Sequence, residues 1–96
     1  MFQRVLKKFR EKIKARHFVI TLHAVEELED EGFSVLDIEH AILTGEIATR
    51  QKDADTREWK YLVKGRSLSD DEIVVVGTLS PNGKLVIITI YDDTES

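Results

Sequence analysis

The sequence predicts an α+β domain: a long basic helix and an acidic helical hairpin at the N-terminal end, packed on a four-stranded antiparallel β-meander. Three observations predict it. Apolar residues recur at helical spacing through the first half of the chain, and the period falls to two from Glu46 onward. A capped turn, Gly32-Phe33-Ser34, closes one helix and opens the next. Two apolar runs near the end are joined by Ser80-Pro81-Asn82-Gly83, whose Asn-Gly pair is a strong hairpin signal. At 96 residues the chain makes one domain, 1–96, whose single thin core needs every layer to contribute.

Phe2, Val5, Leu6, Phe9 and Ile13 form one stripe of a helix over residues 2–16, with Arg4, Lys7, Lys8, Arg10, Lys12 and Lys14 opposite. His17-Phe18-Val19-Ile20 reads as an edge strand or an extended link. Thr21 is the expected N-cap of the next helix, with Leu22, Val25 and Leu28 on its dry side and Glu26, Glu27, Glu29, Asp30 and Glu31 on its wet side. Those acids crowd the C-terminal end, where the helix dipole disfavours them, and the basic helix is the expected source of relief. Gly32 supplies a left-handed C′ residue. Ser34, Asp37 and the Phe33–Ile38 pair supply a capping box and staple for a helix that Gly45 ends.

Ile47–Arg50 and Arg57–Lys64 read as strands around the polar turn 51–56. In the second, Trp59, Tyr61 and Val63 share one face, Lys60 and Lys64 the other, and the aromatics are expected in the core. Ile73–Leu79 and Leu85–Tyr91 are apolar on both faces, so central, covered strands are expected. The segment 92–96 reads as a frayed tail.

Net charge is −4, but its distribution says more: residues 1–16 carry +6, 17–49 carry −8, 50–66 carry +3 and 67–96 carry −5. Such blocks either pair internally or leave faces of opposite sign for partners; internal pairing is the expectation here. The absence of cysteine excludes a disulfide framework and a thiolate metal site. No apolar run reaches membrane-spanning length and no signal peptide is evident, so a cytoplasmic protein without a membrane partner is expected. His17, His23 and His40 share no ligand spacing, which argues against zinc. No phosphate-cradling loop, nucleophile elbow or dinucleotide fingerprint is present.

The run Thr21-x-His23-Ala24-x-Glu26-x-Leu28-x-Asp30-x-Gly32-Phe33-Ser34-x-x-Asp37-Ile38 resembles a prokaryotic family catalogued as domain of unknown function 4258. The resemblance continues through Lys60-Tyr61, Ile73–Val76 and Val86–Tyr91, and so covers residues 18–91. That family's plan is similar to the BrnT and RelE group of small toxins. The likeness implies metal-independent, cofactor-free RNA cleavage and inhibition by an antitoxin-like protein partner. Glu27 and Glu31 depart from it, since arginine is typical at both positions. Two anions in place of two cations oppose phosphate binding on that face.

The chemistry implied by the resemblance needs a base, an acid and cations for a phosphorane-like charge. His23, with an imidazole pKa of about 6.5, is the first candidate; the bland alternative packs it at the helix–sheet junction on a backbone carbonyl. Arg57 and Lys60 would hold phosphate, Arg66 would stabilise developing charge, and Tyr91 would share proton transfer with His23. Three functions follow as expectations: a toxin-like endoribonuclease, a non-catalytic protein-interaction module using the acidic hairpin or a sheet edge, and an RNA binder using the basic helix. A homodimer is compatible with each.

Overall fold

The computed structural model describes residues 1–93. Helix α1 (Gln3–Lys14) buries Leu6, Phe9 and Ile13, the stripe its spacing predicts. It ends where Arg16 turns left-handed at φ 56° and the His17 N–H donates to the Lys12 carbonyl at 2.8 Å. Strand β1 (Phe18–Ile20) follows, then α2 (Leu22–Glu31) and α3 (Val35–Thr44). Four longer strands complete the chain: β2 (Glu46–Lys52), β3 (Trp59–Arg66), β4 (Glu72–Leu79) and β5 (Leu85–Asp92).

Both predicted caps of the hairpin form. The Thr21 hydroxyl accepts from the Ala24 N–H at 3.1 Å, and Gly32 sits at φ 74° while the Phe33 N–H donates to the Leu28 carbonyl at 2.9 Å. At the start of α3 the Asp37 carboxylate accepts from the Ser34 N–H at 2.8 Å and from its hydroxyl at 3.3 Å. The C-terminal end of α3 is held from outside. Arg10 donates to the Ile42 carbonyl at 3.1 Å and to the Gly45 carbonyl at 2.9 Å, placing a cation on the negative end of the helix dipole.

The sheet has five strands in the order β1-β5-β4-β3-β2, not the four expected. Strands β2 to β5 form the antiparallel meander, and β1 adds a parallel pair, Phe18 opposite Leu85 through Ile20 opposite Ile87. Phe9, Ile13, Ala24, Leu28, Ile38, Ala41 and Ile42 from the helices meet Tyr61, Val63, Ile73, Val75, Leu85, Ile87 and Ile90 from the sheet. The opposite face, carrying Leu62, Val74 and Val76, lies outside that core, so the central strands are helix-covered on one side only. Val74 is still fully buried, because its register partners Lys64 and Tyr91 flank it. Helix α3 lies backbone-close on β3: a Cβ at Gly65 would come within 2.5 Å of the Ala41 carbonyl oxygen.

Two residues of the expected tail, Asp92 and Asp93, are held by the sheet. Asp92 belongs to β5, and Asp93 donates its N–H to the Glu72 carbonyl at 2.8 Å. The rest of the expected tail, 94–96, lies outside the described residues.

Candidate functional site

Lys60 and Arg66 alternate onto the outer sheet face, six residues apart along β3 and so separated by about 20 Å. Each is already paired. The Lys60 ammonium lies 3.4 Å from Asp53, and Arg66 reaches Glu72 at 3.3 Å and the Asp70 carboxylate at 3.6 Å. Lys64 between them pairs with Asp93 at 3.7 Å. Asp53 also accepts the Thr56 and Asp55 N–H groups, which with Lys60 hold its carboxyl below the ordinary aspartate pKa. Arg57 belongs to no strand: it is the exposed, left-handed residue of the β2–β3 turn at φ 63°. Tyr91 is half-exposed in register with Val74, which pairs with Lys64. The register thus brings Tyr91 toward Lys64 and Arg66, and leaves Lys60 and Arg57 at the far end of β3.

His23 does not occupy the helix–sheet junction. Its side chain is 69% exposed, with Nε2 3.4 Å from Glu27. Glu27 takes the junction instead. Beyond Ile87, β5 has no strand on that side, and its backbone groups need other partners. The Thr21 hydroxyl donates to the Ile88 carbonyl at 3.1 Å, and the Glu27 carboxylate accepts from the Ile90 N–H at 3.1 Å and from the Thr89 hydroxyl. The acid at a position where the resemblance expects arginine therefore closes the sheet edge.

A cleft of about 770 Å³ opens where α3, β2 and β3 converge, lined by His40, Glu46, Lys64, Arg66, Glu72 and Asp93 among others. His40 Nδ1 donates to the Arg66 carbonyl at 2.8 Å, which fixes the tautomer that a neutral ring adopts there. No sequence signal pointed to His40, because its partner lies 26 residues away on another element. Among the described residues no group of His, Asp or Glu is arranged to hold a metal ion.

A family model described as a domain of unknown function, DUF4258, matches residues 20–92. The chain belongs to the DUF4258 family. No curated protein and no solved structure matches it. Among the described residues no helix is long and apolar enough to cross a membrane.

The DUF4258 region contains a second surface of distinct chemistry, the tip of the α2–α3 hairpin. Glu29, Asp30 and Glu31 are exposed, and among the described residues none forms an ion pair. The relief expected from α1 does not arrive: the ion pair that α1's C-terminal flank makes runs from Arg16 to Glu39 on α3, at 3.8 Å. At the start of α3, Leu36 is 57% exposed, and Leu68 in the β3–β4 connection is 59% exposed. Asp37 ties them together, since its second oxygen accepts the Leu68 N–H at 2.8 Å one residue from Leu36.

Proposed function

We propose that this DUF4258 chain is a non-catalytic interaction domain whose hairpin tip binds a basic, amphipathic segment of another protein. One observation carries the reading: Leu36 and Leu68 are exposed at the Asp37-held start of α3, and among the described residues Glu29, Asp30 and Glu31 at the end of α2 form no ion pair. Unpaired charge supplies steering and register, and apolar side chains supply affinity once water is expelled. Lys60, Lys64 and Arg66, by contrast, each already pair with a carboxylate. The test is fluorescence anisotropy with a labelled synthetic Lys/Leu amphipathic helix. Binding is expected, and Leu36→Ala and the double variant Glu29→Lys, Glu31→Lys should each weaken it severalfold. Equal affinity in all three proteins overturns the reading.

A toxin-like endoribonuclease, restrained by an antitoxin-like partner, is the second reading. What favours it is that Lys64, Arg66 and Tyr91 share one sheet face beside a cleft holding a tautomer-fixed histidine. RNA cleavage by the purified protein, abolished in His40→Ala or Lys64→Ala, would establish it over the first.

A further inference from the structure

Elements other than the hairpin form a corner of opposite character. Trp59 opens β3, 38% exposed, and its backbone is pinned because the Thr78 hydroxyl donates to the Trp59 carbonyl at 2.6 Å. By alternation Trp59 lies on the helix side of the sheet with Tyr61, but α1 covers only Tyr61, whose ring packs edge-on against Phe2 and Phe9. The expected burial of both aromatics thus holds for one of them. Across the strand pair, the Arg50 guanidinium carbon sits 3.9 Å above the Trp59 ring centre and the Lys52 ammonium 5.6 Å from it. Arg50 also reaches Phe2 at 5.9 Å, and with Phe2, Arg4, Val5 and Tyr61 it lines a cleft of about 270 Å³.

These cations differ from those on the outer face. Among the described residues, Arg4, Arg50 and Lys52 form no ion pair with a carboxylate. Arg4 also begins a row, Arg4-Lys8-Lys12, that recurs every fourth residue and so runs up one side of α1. A flat, accessible ring among unneutralised cations matches one ligand chemistry: stacked bases joined by phosphates.

We propose that this corner binds single-stranded nucleic acid, with a base stacked on Trp59 and the neighbouring phosphates on Arg50, Lys52 and Arg4. The base displaces Arg50 from the ring, and the guanidinium turns from the π face to a phosphate oxygen. A duplex is disfavoured because its bases present no free face. The site is independent of the hairpin tip and stands whether or not that surface binds a protein.

Trp59 is the sole tryptophan, so its fluorescence reports the site directly. The intact protein is titrated with short oligouridylate, oligothymidylate, a blunt duplex and inorganic polyphosphate. Quenching by the single strands is expected, with a log–log salt slope of about −2 for three phosphates. Quenching by oligouridylate alone assigns an RNA ligand, and equal quenching by both strands assigns single strands in general. Arg50→Gln with Lys52→Gln should flatten the slope, and Trp59→Ala, followed by anisotropy, should weaken binding roughly tenfold. Circular dichroism verifies that each variant folds. Absent quenching, equal response to duplex or polyphosphate, or a slope unchanged in the Arg50/Lys52 variant would overturn the proposal.

Discussion

Asp37 shows how much one side chain can hold. Burial alone would raise its pKa, but hydrogen bonds from the Leu68 N–H and from Ser34's N–H and hydroxyl, with His40's charge behind them, bring it below the usual aspartate value. The sign follows from linkage. The folded carboxyl binds a proton less readily than the unfolded one, so protonation favours unfolding. Its contribution is complete above the ordinary aspartate pKa of about 3.9 and is lost as pH falls through the lower folded value. Asp37→Asn should therefore cost about 1 kcal/mol at neutral pH. In urea melts the gap to the parent protein should narrow below pH 4, the region near the reference value of 3.8. A gap independent of pH would show that shape, not charge, is what Asp37 contributes. The neighbouring helix offers a parallel in Glu27, whose carboxylate closes the β5 edge while His23 stands outside it.

Between elements, α3 meets β3 backbone to backbone. A methyl group at Gly65 would meet the Ala41 carbonyl oxygen at 2.5 Å and the Ala41 Cα at 2.8 Å, both backbone atoms that cannot rotate away. Gly65→Ala should cost on the order of 1–3 kcal/mol as the helix lifts from the sheet. Gly77→Ala, whose nearest new neighbour is the tip of the Leu85 side chain at 3.2 Å, should cost less. Equal losses in chemical denaturation would refute the backbone-contact account. The same contrast between near and far explains what could be read from the letters. The caps of α2 and α3 involve residues within five positions, so Thr21, Gly32 and Asp37 announced them. Strand β1 pairs in parallel with a segment 67 residues later, and three apolar letters do not specify that partner. The site was legible only as residue types. Whether Lys60 faces Asp53 or a phosphate, and whether Trp59 lies under a helix or beyond its end, depends on register and on where α1 begins.

At the scale of the whole molecule, the charge blocks cancel by contact only in part: Arg16–Glu39 joins the first two, and Lys64–Asp93, Arg66–Asp70 and Arg66–Glu72 join the last two. Among the described residues no ion pair joins α1 to α2, and each helix carries like charges four apart: Arg4, Lys8 and Lys12 on one, Glu26 with Asp30 and Glu27 with Glu31 on the other. Such pairs each destabilise a helix by a few tenths of a kcal/mol. The ion pairs that do form lie largely at exposed positions and contribute little. Repulsion within each helix therefore outweighs attraction between them, and screening it should help the fold. Urea midpoints should rise as sodium chloride increases from the low-salt limit to about 0.15 M, where the screening length is about 8 Å. Binding at the hairpin tip and at the Trp59 corner should weaken over the same range, because there the unpaired charge faces a partner. Opposite salt responses of stability and binding are what separated, uncompensated surfaces require. A midpoint that falls with salt would mean that the two helices neutralise one another across the fold, leaving neither surface the free charge on which its binding depends.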